Sequence, residues 1–255
     1  MAEAITYEQP LSEIYRACLR LEYLFEQLDH QLKDSSYMGT RNIATIIINI
    51  LQLLDRPDLK TKLAKELSHQ TAQLLRLENM PQTDRQKLYE VIAQLEELSH
   101  NFIDSSGKIG QNLRDIALLN NLRLHLMTPG GGLSFDIPIY NYWLNRSEEE
   151  RLETVKAWLT EFQHLRTAIH LLLRLVREST PLQSKTATHG FYQELLDPQQ
   201  NIRLIRVSLA HQMDVYPEIS VGRHFVSIRF FVPQISLRST PYQQNLSFGL
   251  AYCNG

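Results

Sequence analysis

Residues 147 to 181 read SEEERLETVKAWLTEFQHLRTAIHLLLRLVRESTP, and the character of the chain changes where this stretch ends. Within it Leu152, Val155, Leu159, Phe162, Leu165, Ile169, Leu172 and Val176 recur at intervals of three and four, the repeat of one helix face. Ser147 with Glu150 supplies a capping box, and no Gly or Pro intervenes before Pro181. The spacing predicts a single helix from about 147 to 179, roughly 45 Å long at 1.5 Å per residue. Leu171, Leu172 and Leu173 in a row give its far end more apolar surface than one stripe needs. Burial against a second chain and burial at the centre of its own domain both satisfy that pattern.

Beyond Pro181 the period falls from 3.6 to 2. Residues 201–210, 223–232 and 246–252 read as strands separated by Gly, Pro, Asn and Ser. Upstream, the 3.6 period holds. Leu11, Ile14, Cys18, Leu21, Phe25, Leu28 and Leu32 form one unbroken stripe, and Ile43, Ile46, Ile47, Ile50 and Leu54 form a second. Two more run through Leu59, Leu63, Leu67 and Leu74, and through Leu88, Val91, Ile92, Leu95 and Leu98, the latter with a capping box at Thr83 and Gln86. A fifth helix reads from about 111 to 126, stopping before Pro129 and Gly130 to Gly132. The predicted class is therefore α+β: a mainly helical domain of about six helices over residues 1–180 and a smaller antiparallel β domain over 181–255. Residues 5–8 fit an edge strand of the β part.

With 255 residues the chain has room for one large or two modest domains. Its 43% hydrophobic and 21% charged residues, with 10 Gly and 10 Pro, describe a globular chain and exclude a disordered one. Cys18 and Cys253 form no CxxC pair, which excludes a disulfide framework and a cysteine zinc site and fits a reducing cytoplasm. The longest apolar run, 44–54, is broken by Thr45, Asn49 and Gln52 and is too short for a membrane span. MAEAITYEQ at the start lacks the basic and apolar regions of a secretory signal.

Charge is uneven along the chain. Residues 1–180 hold 20 basic against 24 acidic side chains, net −4, and residues 181–255 hold 6 against 4, net +2. Five of those six are arginines, the side chain suited to forked capture of carboxylates. An anionic partner fits there, whereas duplex nucleic acid calls for a dense basic face and a pI above the 6.5 of this chain.

In the middle strand His224, Val226, Ile228, Phe230 and Val232 fall on one face, and Arg223, Phe225, Ser227, Arg229 and Phe231 on the other. The first is a core face. The second interleaves arginine with aromatics, as a groove for an extended acidic and apolar peptide would. A solvated strand face whose arginines pair with surface carboxylates satisfies the same pattern.

Signatures of catalysis are missing. There is no phosphate-cradling GxGxxG or GxxxxGK[ST], no HExxH, and His164 and His170 stand six apart on different helix faces, so no cofactor and no metal is expected. Ser134 in GGGLSFD lacks the glycine spacing of a nucleophile elbow. The residues point to an interaction protein without an enzymatic role. A small-molecule-binding protein or enzyme is the alternative, with 135–143 and 190–193 as pocket walls. A coiled-coil adaptor, with all recognition on the long helix, is a third reading.

Five segments resemble the ZapD family, Z-ring-associated cell-division proteins that bind FtsZ. They are QPLSEIYRACLRLEYLF (9–25), KIGQNLRD (108–115), TPGGGLSFDIPIYNYWL (128–144), GFYQELLD (190–197) and YPEISVGRHFVSIRFF (216–231). Some relatives carry cysteine at the positions of Gly132 and Leu133, and some carry histidine at that of Asn141. The resemblance implies a cytoplasmic homodimer, acting at mid-cell, with a helical and a β domain and a basic pocket for the C-terminal tail of FtsZ. It implies bundling of FtsZ filaments to stabilise the Z ring, and no enzymatic activity. Arg16, Arg20, Arg56, Arg114, Arg123 and Arg229 fall where the family places arginine, and Arg223 matches more loosely. We expect Arg229 and Arg223 to line the pocket beside Phe225, with Arg114 and Arg206 as further candidates. Arg16, Arg20, Arg56 and Arg123 fit either partner binding or structural ion pairs.

Overall fold

A computed structural model describes residues 4–78, 80, 84–126, 128–197, 199–234 and 238–254. Nine helices and eight strands are formed among the described residues, and the class is α+β. The chain divides into two compact units, Ala17–Leu173 and Met1–Arg16 with Arg174–Gly255. No helix among the described residues is long and apolar enough to cross a membrane.

The stripes foreseen from the sequence are the buried faces. In α1 (Glu13–Gln31) Ile14, Cys18, Leu21, Phe25 and Leu28 are buried, and the Ser12 hydroxyl caps the start by accepting from the Tyr15 amide at 3.3 Å. The isoleucine-rich segment is α2 (Tyr37–Leu53), capped by Ser36. Its β-branched side chains lower helix propensity, and burial of Ile43, Ile47, Ile48 and Ile50 overrides that. α3 (Leu59–Leu75) and α4 (Arg85–Asp104) pack as a pair, close enough for the Ser68 and Ser99 hydroxyls to meet at 3.1 Å. Asp84 caps α4, accepting from the Lys87 amide; Thr83 of the expected capping box lies outside the described residues.

Two expected helices are each divided. Residues 111–126 give α5 (Gln111–Asp115) and α6 (Ala117–His125), with Ile116 extended between them. The 147–179 stretch gives α8 (Glu148–Thr160), with the foreseen Ser147–Glu150 capping box, and α9 (Gln163–Glu178). At the break the Glu161 and Phe162 amides bond back only three residues, to Trp158 and Leu159, as in a tighter 3₁₀ turn. The Thr160 hydroxyl bonds the Ala157 carbonyl at 2.7 Å and competes with the helical ladder. The turn lets Phe162 bury edge-on against Phe25, ring centres 6.2 Å apart. Leu171, Leu172 and Leu173 are at most 2% exposed in the single chain, so this triplet leaves no surface for a second copy.

Between α6 and α8, α7 (Pro138–Leu144) turns Tyr140, Trp143 and Leu144 inward, and Trp143 packs on Trp158 at 5.1 Å. Arg151 of α8 is a buried cation in this unit, 9% exposed. It donates to Thr40 Oγ1 and to the carbonyls of Ser35, Leu144 and Arg146, at 2.7–3.2 Å. These bonds tie the start of α2 to the α7–α8 connection.

The other unit is a sandwich of two antiparallel sheets. One has the order β1 (Ala4–Pro10), β4 (Ile202–Ala210), β8 (Leu246–Asn254), β2 (Gln183–Ala187), so the expected edge strand at 5–8 is β1. The second has β3 (Phe191–Leu195), β6 (Phe225–Val232) and β5 (Tyr216–Val221), with β7 (Thr240–Pro241) pairing the end of β6. Ile205, Val207 and Leu209 of β4, Val226, Ile228 and Phe230 of β6, and Leu246, Phe248 and Leu250 of β8 make its core. His224, expected on that core face, is instead exposed in the turn before β6, because the strand starts at Phe225, two residues later than expected.

Candidate partner-binding face

The alternation of β6 positions the site. Val226, Ile228 and Phe230 face the core at 0% exposure, so Phe225, Ser227, Arg229 and Phe231 face the other way. Register completes the face. Arg229 stands opposite Phe191 on β3 and Glu218 on β5, Phe225 opposite Leu195, and Phe231 opposite Tyr216 and Pro241.

Phe191, Leu195 and Phe225 are 38%, 81% and 42% exposed, an apolar content unusual for a solvated strand face. The Arg229 guanidinium lies 5.4 Å from the centre of the Phe191 ring. Stacked there, the exposed guanidinium keeps its planar donor fork open to solvent. Tyr216 and Phe231 stack at 5.7 Å beside it. The Phe225 ring rests on the backbone of Gly222, where a Cβ would stand 3.3 Å from it.

Phe191 is held in place by the turn before it. His189 and Gly190 both have positive φ, 50° and 67°, as a two-residue type I′ turn demands. A Cβ on Gly190 would fall 2.1 Å from the Tyr242 carbonyl oxygen, so only glycine fits. The Gly190 carbonyl accepts from the Phe230 amide at 2.9 Å, which locks β3 onto β6.

Of the five residues expected at the site, Arg229 and Phe225 share this face, and Arg223 is exposed in the β5–β6 turn next to it. Arg206 is on β4 in the other sheet, where its Nε lies 3.2 Å from Glu8 and its Nη1 donates to the Arg177 carbonyl. Glu8 is also held by a two-pronged contact from Arg177 at 2.8 and 2.9 Å. Arg114 belongs to the helical unit. It bonds Asp55 at 3.1 Å and the carbonyls of Leu51 and Ile109, and Arg123 reaches the second oxygen of Asp55 at 3.0 Å. Arg206 and Arg114 thus serve internal acceptors. Arg20 and Arg56 line an open groove of about 420 Å³ between α1 and α2, together with Tyr23, Leu24, Asn49, Gln52 and Leu53.

The segments 135–143 and 190–193, paired above as walls of one small-molecule pocket, fall in different units. Among the described residues no cluster of His, Cys, Asp and Glu is arranged to hold a metal.

Tyr216, Leu195 and Glu218 were not foreseen at the site, and Phe191 only as part of the 190–193 wall of the alternative pocket. The strands that hold them are only 5 and 6 residues long, too short for a decisive period of 2, and register, which brings them beside Arg229, is written in turns and not in any one strand.

The described residues thus present an exposed face of aromatics and an arginine on a small β sandwich, in a chain that also carries a helical unit. Comparison with known proteins then gives its kinship. A family model described as ZapD, cell division protein, matches residues 19–229. A cell division protein ZapD of Coxiella burnetii is 36% identical over 255 residues, covering 99% of each chain. That of Ralstonia nicotianae is 35% identical over 254 residues, and that of an Azoarcus species 33% over 249, each covering 98% of this chain and 99% of the relative. The chain belongs to the ZapD family of cell division proteins.

Proposed function

We propose that this protein binds the C-terminal tail of FtsZ through the exposed β3–β6–β5 face and, as a homodimer in the cytoplasm at mid-cell, cross-links FtsZ filaments into bundles that stabilise the Z ring. The observation that carries the reading is Arg229 poised over Phe191 on a face that also exposes Leu195 and Phe225. Membership of a cell-division family supports it. Arg229 and Arg223 receive tail carboxylates, and Phe191, Phe225 and Phe231 receive its apolar side chains. Arg206 and Arg114, engaged by Glu8 and Asp55, act by holding their units in shape.

Physical function follows from valency. A short tail on a few arginines and an aromatic shelf binds at about micromolar strength, near −8 kcal/mol. A twofold dimer meets a filament that repeats the tail at every subunit, so the second contact forms at high effective concentration. Two filaments held by one dimer are tied together with no chemical step. Exposed charge pairs are screened by salt, so binding weakens as salt is added.

The test is co-sedimentation with FtsZ polymerised in GTP, beside FtsZ lacking its C-terminal tail. Pelleting and bundling with the full-length protein alone is expected. Equal pelleting with tailless FtsZ contradicts the tail as target.

A further inference from the structure

Arg229 has a carboxylate directly across from it that it does not use. The β5–β6 hairpin closes with the Gly222 amide on the Phe225 carbonyl at 2.9 Å. Counting by twos from that pair makes Glu218 and Arg229 a hydrogen-bonded pair, whose Cα atoms stand about 5.5 Å apart. Opposite charges so placed ordinarily pair across the strands. Here the guanidinium leans to the other neighbour and lies over Phe191, while Glu218 is exposed on the same face. Among the described residues no carboxylate lies within ion-pair distance of Arg229. The face therefore offers a cation and an anion on adjacent strands, with aromatic rings on both sides.

We infer that Glu218 is a specificity-determining residue of this face. It selects an extended peptide that sets a carboxylate on Arg229 and a cationic side chain on Glu218, with an apolar side chain against Phe191 or the Tyr216–Phe231 stack. A uniformly acidic peptide is disfavoured, because satisfying Arg229 brings a second carboxylate against Glu218, and repulsion of the wrong partner is as effective a selector as attraction of the right one. The inference rests on the reading of this face as the tail-docking surface. It goes beyond that reading by fixing the charge pattern of the bound segment: mixed, not merely acidic.

The experiment uses a fluorescent peptide of the FtsZ C-terminal tail and two altered versions, one with every Lys and Arg replaced by Gln, one with every Asp and Glu replaced by Asn or Gln. Each is titrated against the wild-type protein, Glu218→Gln and Arg229→Gln. The cation-free peptide is expected to bind the wild-type protein about two- to fivefold more weakly than the native tail, the range of an exposed ion pair. That difference disappears against Glu218→Gln. The carboxylate-free peptide loses binding to the wild-type protein, and Arg229→Gln removes the distinction. An equal penalty for the cation-free peptide against wild type and Glu218→Gln, or none against either, overturns the role of Glu218 while native tail binding stands. Failure of the native tail to bind the wild-type protein overturns the docking face itself, and this inference with it.

Discussion

The Arg229 guanidinium lies 5.4 Å from the centre of the Phe191 ring, across a strand pair that sets the two residues directly opposite one another. Both are exposed, and neither contributes to the sandwich core. Phe191→Ala is expected to weaken tail binding severalfold by removing the shelf and the ordering of Arg229, with a cation–π contact worth about 0.5–1 kcal/mol at an exposed site. Isothermal titration with the tail peptide reads this, while circular dichroism stays at the wild-type spectrum.

Gly190 is the fixed point behind that pair. Gly190→Ala places a methyl group in contact with the Tyr242 carbonyl at a positive φ that side chains resist. A cost of about 1–3 kcal/mol is expected, seen as a drop of several degrees in the melting of the β unit. Tail affinity falls as well, because β3 then no longer seats Phe191 beside β6.

Arg151 is the corresponding point in the helical unit. Arg151→Met leaves the carbonyls of Ser35, Leu144 and Arg146 and the Thr40 hydroxyl without their donor. Unsatisfied buried acceptors make the expected loss at least about 2 kcal/mol in denaturant unfolding. Arg151→Lys does not restore stability, since a single ammonium cannot span acceptors arranged for a planar fork.

Acid and alkali should act on one cluster between the strands of the sandwich. Glu194 accepts from the Tyr192 hydroxyl at 2.6 Å and the Tyr252 hydroxyl at 3.0 Å, with Lys185 at 3.5 Å. Burial pushes its carboxyl up, but these hydrogen bonds and the lysine charge outweigh burial and hold it below the ordinary value. A carboxyl lowered on folding contributes stability that is complete above the unfolded value, about 4.3, and is lost as pH falls through the folded one. Burial first, and then the bond to Glu194, push both phenols above their ordinary value. Their share is complete below about pH 10 and is lost as pH rises through the folded values. Tyr252→Phe takes one donor from Glu194, so its acid unfolding midpoint is expected at higher pH than that of the wild type, and its alkaline loss is shallower. Unfolding curves followed by circular dichroism between acid and alkali check both signs.

Cys18 and Cys253 are each 0% exposed, and burial pushes both thiols up. Neither is expected to react with a thiol reagent in the folded protein, and both react once denaturant is added. A thiol that titrates rapidly in native buffer contradicts this packing.

Helix stripes were legible in the sequence because a buried face at 3.6 spacing repeats within one element and needs no partner to be read. Ser147 and Glu150 announced α8 by the same local logic. The break at Glu161 and Phe162 was not legible, since no Gly or Pro marks it and its cause is the fit of Phe162 against Phe25, distant in sequence. The short strands β3 and β5 escaped because five or six residues carry little periodicity. With them went Phe191 and Glu218, which became neighbours of Arg229 only through register. Arg206 and Arg114 show the converse: a basic residue in a fitting composition, whose carboxylate partners Glu8 and Asp55 lie far away along the chain.

On the function proposed, the face carrying Arg229 holds FtsZ filaments together. The most direct test is co-sedimentation of GTP-polymerised FtsZ with the wild-type protein and with Arg229→Glu, both shown by circular dichroism to have the same fold. Bundling by the wild type and its loss with Arg229→Glu is the predicted result. Undiminished bundling by a folded Arg229→Glu would contradict the assignment of the site.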